Sequence, residues 1–128
     1  MAANKTTYLE DAIVNHVLRN TALTSPTNVY LALFSVAPSE AGGGTELTGN
    51  GYARQAITFG APADGVVTNS GAVTFTASGG AWSAVAGIAI CDAVSAGNQL
   101  YWDTKVISAL ADGDSINFAI SQISVTET

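Results

Sequence analysis

The sequence predicts a mainly β protein: an antiparallel β-sandwich or jelly-roll-like fold with one N-terminal α-helix. Three observations point there. After residue 28, about seven or eight short apolar or alternating runs recur, with Gly, Asn, Asp and Pro turn signals roughly every 8 to 16 residues. Only residues 6–20 combine a helical period with signals at both ends. The run 28–36 is apolar at nearly every position, as suits a strand covered on both sides. The 128 residues form one domain, 1–128, with the helix at about 6–20 and the β-domain at about 28–126.

The helix is the first element. Thr7 and Glu10 have capping-box spacing, in which each side chain satisfies an orphan backbone N–H. Glu10 and Asp11 stand in the first turn and Arg19 in the last, the signs that the helix dipole favours. Leu9, Ala12, Ile13, His16 and Val17 recur on one face. Asn20 and Thr21 end it. Ser25 before Pro26 turns the chain, because a residue preceding proline avoids the helical region. A lone amphipathic helix either covers an open part of the sandwich or packs on a neighbouring subunit.

Strands follow. Val29, Tyr30, Leu31, Leu33, Phe34 and Val36 make the apolar run, which Pro38 ends because proline cannot donate to a ladder. Residues 39–51 form a glycine-rich arm with Gly42, Gly43 and Gly44 and a turn at Gly49, Asn50 and Gly51. From Tyr52 to Phe59 the residues alternate: Ala53, Gln55, Ile57 and Phe59 face one way, and Tyr52, Arg54, Ala56 and Thr58 the other. Val66 to Thr68 and Ala72 to Ala77 are short strands, with a tight turn at 69–71 between them. Trp82 to Cys91 suits a central strand, with Trp82, Ala84, Ala86, Ile88 and Ile90 on one face and Val85, Gly87, Ala89 and Cys91 on the other. Gln99 to Ile107 is a further strand, and Ser115 to Val125 the last. The apolar positions of that last strand change parity after Ile120, the signature of a bulge near Ser121 and Gln122.

Charge excludes several functions. Only 11% of residues are charged, against about 25% in typical soluble domains. Either the surface is rich in Ser, Thr and Gly, or much of it lies against other chains. The net charge is −6, and the cations Lys5, Arg19, Arg54 and Lys105 are scattered. Displacing counterions from nucleic acid needs clustered Lys and Arg, so no nucleic-acid partner is expected. An anionic membrane surface would repel the chain, and no apolar run approaches the ~18 residues of a spanning helix. The first residues lack the apolar core of a signal peptide.

Chemistry is equally sparse. His16 and Cys91 are the only histidine and the only cysteine, so a His/Cys metal site within one chain is excluded by count. Asp112 and Asp114 flank Gly113 as in ordinary tight turns, without the oxygen-donor spacing of a calcium loop. Gly-x-Ser-x-Gly is absent, and the glycine clusters lack the Lys-Ser/Thr and third glycine of phosphate-binding loops. No enzyme activity, cofactor or metal is expected. The candidate interface residues are Gly42, Gly43, Gly44, Asn50, Tyr52 and Arg54. Arg54 is expected to pair with a carboxylate or backbone carbonyls, within the subunit or across an interface.

The segments Val-Tyr-Leu-Ala-Leu-Phe from Val29, Ala-Pro-Ser-Glu-Ala-Gly-Gly-Gly-Thr-Glu from Ala37, Gly-Asn-Gly-Tyr-Ala-Arg-Gln from Gly49 and Thr-Phe-Gly-Ala-Pro from Thr58 resemble a group of small tailed-bacteriophage virion structural proteins. Tyr8 to Asp11 and Gly87 to Asp92 extend the resemblance over most of the chain. It brings no catalytic residues. It implies a virion location, with assembly in the host cytoplasm. The expected role is a capsid cement or decoration protein that stabilises the shell through contacts between subunits. Its partners would be copies of itself, as a homotrimer, and the phage major capsid protein or other virion subunits. The alternative is a tail, fibre or baseplate component that binds host-surface glycans, for which Tyr52, Trp82, Tyr101 and Trp102 are the candidate aromatics.

Overall fold

The structure, a computed structural model, describes residues 4–127. In chain order the elements are β1 (Asn4–Lys5), α1 (Thr7–Leu18), β2 (Val29–Val36), β3 (Thr45–Glu46), β4 (Gln55–Ile57), β5 (Val66–Thr68), β6 (Val73–Thr76), β7 (Val85–Cys91), β8 (Gln99–Ile107), β9 (Ser115–Phe118) and β10 (Ser124–Thr126). The antiparallel β-sandwich with one N-terminal helix is borne out. A six-stranded sheet runs β1-β8-β7-β2-β3, with β4 also on β2. Opposite it lie two ribbons, β5 with β10 and β6 with β9.

The centre is the pairing of β2 with β7, where Leu31 faces Ile90 and Leu33 faces Ile88. These four pack with Val73, Phe75, Phe118 and Val125 of the ribbons into the main core. Phe75 meets Phe118 edge to face at 6.3 Å. On the other side of β2 and β7, Ala32, Phe34, Ala89 and Cys91 form a second buried cluster against Trp102. Residues 31–34, the middle of the run 28–36, are therefore covered on both sides, which is why they read as continuously apolar, while Val36 at the end of the strand is exposed.

Several expectations are corrected. The helix cap is Thr6, not Thr7: the Leu9 N–H donates to the Thr6 hydroxyl oxygen at 3.3 Å. Its expected apolar face is barely used, because Leu9 alone is buried while His16 and Val17 are exposed. Residues 52–54 lie outside the ladder, and the strand expected at 52–59 shortens to β4. The strand expected from Trp82 begins at Val85. Its register slips between Val85 and Gly87, so Val85 joins Ile88 and Ile90 in the main core rather than facing away from them.

The last expected strand is two strands in two different ribbons. The parity change marks a corner, not a bulge: Ser121 has φ 66° and turns the chain. Asn69, fully buried, holds that corner. Its side-chain amide donates to the carbonyls of Gly71 at 2.8 Å and Ala119 at 2.9 Å, and its oxygen accepts from the Ile123 N–H at 2.8 Å. A buried amide is tolerated because both of its ends are paired.

Candidate interaction surface

The six residues expected at an interface divide into two structures. The first is an internal lock at a break in the main sheet. β4 pairs with the first half of β2 and β3 with its second half. Between them, the Leu33 N–H meets no strand and donates instead to the Tyr52 hydroxyl at 3.0 Å. The phenol thus completes the edge of the sheet. Its ring stacks on Phe75 at 6.2 Å and meets Trp82 edge-on at 5.6 Å, so Tyr52 is anchored in the core.

The Tyr52 hydroxyl in turn donates to Glu46 at 2.7 Å. Arg54 grips the same carboxylate with two bonds, Nε to Oε2 at 2.9 Å and Nη2 to Oε1 at 2.8 Å. Its Nη1 reaches the carbonyls of Ala93 and Ala96, both at 2.8 Å. The expectation that Arg54 pairs with a carboxylate and carbonyls is met inside the subunit. Burial alone would raise the Glu46 pKa, but the hydrogen bonds from Arg54 and Tyr52 outweigh it and hold the carboxyl below its ordinary value. Burial first, and then the bond to Glu46, raise the Tyr52 phenol. Asn50 is also structural: its carbonyl accepts from Trp82 Nε1 at 2.8 Å, and its amide donates to the Ala81 carbonyl at 2.8 Å.

The second structure is the glycine segment, which folds back on its own sheet. Ser39 and Gly42 bond each other through both backbone pairs, at 3.0 and 2.8 Å. The Gly43 carbonyl accepts from Gln99 Nε2 at 2.9 Å. Gly44 has φ 78°, and a Cβ there would sit 2.6 Å from the Val36 carbonyl oxygen, so no larger residue fits. Gly42 and Gly43, with Thr6, Tyr8, Asn98 and Gln99, line an open cleft of about 220 Å³. Arg54 shapes it indirectly, by holding the turn that leads into Asn98.

This cleft offers hydroxyls, amides and backbone carbonyls beside the exposed Tyr8 ring, and no charge of its own. Gln99 Oε1 is buried there without a partner among the described residues. Of the aromatics expected at a glycan site, Tyr52 and Trp82 are core, and Tyr101 donates to Glu127 at 3.1 Å. Trp102 packs on the second cluster. Tyr8, 45% exposed, was missed because it sits on a helix that the sequence pattern assigns to packing. Cys91 is buried, and burial pushes its thiol up to about 11. No group of three or more His, Cys, Asp or Glu among the described residues is placed to hold a metal.

A family model described as "Podophage GP4 fiber I protein gp80" matches residues 4–126. It bears out the resemblance to tailed-bacteriophage virion structural proteins read from the sequence. No curated protein matches the chain.

Proposed function

The chain belongs to the podophage fibre I protein family, a family of phage virion structural proteins, and from that premise we propose that it is a compact globular unit of a virion fibre. It acts by contact rather than by catalysis. The observation that carries this reading is the family match across residues 4–126. The fold supports a globular unit rather than a shaft, because its strands form one sandwich around one main core and not a repeat. The cleft beside Tyr8 is the surface best suited to a neutral hydroxylated ligand such as a host glycan. There an aromatic face lies beside amides that can pair with hydroxyls.

A second reading is a capsid cement protein. It is favoured by the same compact sandwich without a shaft and by the low charge, 11% of residues. The test uses particles lacking this protein, assayed for host attachment and for DNA retention on heating. The fibre reading expects lost attachment with normal heat resistance. Normal attachment with early DNA release would replace it with the cement reading.

A further inference from the structure

Residues 4–23 form a unit that touches the rest of the chain at few points. β1 gives β8 two residue pairs, Asn4 with Trp102 and Lys5 with Tyr101. The Thr6 N–H donates to the Leu100 carbonyl at 3.0 Å and its hydroxyl to the Gln99 carbonyl at 2.6 Å. The Thr7 N–H donates to the Glu40 carbonyl at 2.8 Å, and Lys5 pairs with Glu127. Thr6 and Leu9 are the two buried side chains of the unit, 2% and 7% exposed. The attachment is thus a short backbone ladder with the Thr7–Glu40 bond, the Lys5–Glu127 pair, one buried threonine and one buried leucine.

The connector to β2, residues 19–28, has no regular structure, and all of it except Leu23 is exposed. Its hydrogen bonds run back to the helix rather than into the sheet. The Thr21 N–H donates to the Asn15 carbonyl at 3.1 Å, and the Leu23 N–H to His16 Nδ1 at 3.1 Å. With those bonds kept, residues 24–28 are the part free to re-span, and extended they reach about 17 Å.

We propose that residues 4–23 are an exchangeable arm, which leaves its own β8 and docks in the same way on β8 of a second copy. The occupant of the acceptor edge is already defined, since the chain's own segment fills it. Another copy of the same sequence fits equally well. Exchange keeps every contact of the closed form and changes only the connector, which makes it a low-cost route to assembly. The outward face of α1 fits this. Val17 and Leu18, 68% and 76% exposed, stand at the root of the connector, where the crossing connectors of an exchanged pair would meet. The proposal rests on the virion reading for its purpose, though not for its chemistry.

The test places Lys5→Cys and Tyr101→Cys in a Cys91→Ala background. Directly opposed residues on antiparallel strands lie within disulfide reach. The concentrated full-length protein is oxidised and run on a denaturing, non-reducing gel. Exchange predicts covalent dimers or rings that reduction returns to single chains, with each single-cysteine variant unaffected. An intrachain bond in the multimeric fraction, or a protein monomeric at every concentration, overturns it. Deleting residues 24–27 gives a second readout independent of cross-linking. The shortened connector should shift the equilibrium from monomer to multimer, and an unshifted monomer overturns the proposal. Either failure leaves the particle-attachment assay free to uphold the fibre reading.

Discussion

Glu46 and Arg54 meet through two parallel hydrogen bonds of 2.8 and 2.9 Å, with the guanidinium side chain only 9% exposed and the carboxylate 24%. The pair joins the glycine segment to the chain leading into β4. The remaining donor of Arg54 extends the tie to the turn after β7. Removing the cation leaves a half-buried carboxylate without its counter-charge. Arg54→Ala should therefore lower unfolding stability by about 3 kcal/mol, the lower end for a broken buried pair because Glu46 keeps some solvent. Arg54→Lys should recover little of that, since an ammonium cannot make the fork. Denaturant unfolding of both variants checks this, and equal stability of wild type and Arg54→Ala would refute the lock.

The same carboxylate sets an acid limit. The Glu46 pKa is depressed on folding, so its contribution is present above the unfolded value of about 4.3 and is lost as pH falls through the folded value. Wild type should lose stability through that acid window. Glu46→Gln, less stable at neutral pH, should show a flatter acid limb. Parallel acid limbs would show that another group carries the dependence.

At the alkaline end the sign reverses. Burial, reinforced by Glu127, raises the Tyr101 phenol to about 12, and Tyr52 also titrates above its ordinary value. Their contribution is complete below about 10, the unfolded value, and is lost as pH rises above it. Tyrosinate absorbance should therefore lag behind that of free tyrosine until base unfolding. In Tyr101→Phe the base transition should move upward in pH. An unmoved transition would clear Tyr101.

Asn69 tests the corner between β9 and β10. Asn69→Ala leaves the buried Ile123 N–H and the part-buried Ala119 carbonyl without their side-chain partner. The expected loss is about 2–4 kcal/mol for more than one orphaned group. Thermal unfolding checks it, and a loss no larger than that of an exposed Asn→Ala control would count against the corner's role.

Gly43 and Gly44 separate two reasons for glycine. Both have positive φ, 76° and 78°. A Cβ at Gly43 meets nothing within 4 Å, whereas at Gly44 it would lie 2.6 Å from backbone. Gly43→Ala should cost about 1–2 kcal/mol of left-handed strain alone. Gly44→Ala should cost more, because the Val36 carbonyl cannot step aside without disturbing the register of β2 with β3. Equal losses would show that conformation, not space, selects both glycines.

The class of fold and the central strand were legible in the amino-acid sequence alone. Each follows from local physics. Alternation and turn residues set strands, a run apolar on both sides demands cover on both sides, and the counts of His16, Cys91 and the cations are fixed without any folding. Even the partner type of Arg54 was legible, because a cation in so acidic a chain finds a carboxylate. What tertiary structure decided were the places where one residue serves two elements. Tyr52 reads as one position on an alternating strand, yet it closes a gap in another strand's ladder, a role visible only once β3 and β4 divide the edge of β2. The parity change after Ile120 fits a bulge or a corner equally well, and only the pairing of β9 with β6 and β10 with β5 selects the corner. The helix kept its period but not its expected burial. Periodicity reports which side chains are apolar; the surface that meets them is set by the rest of the chain, and for Val17 and Leu18 this subunit supplies none.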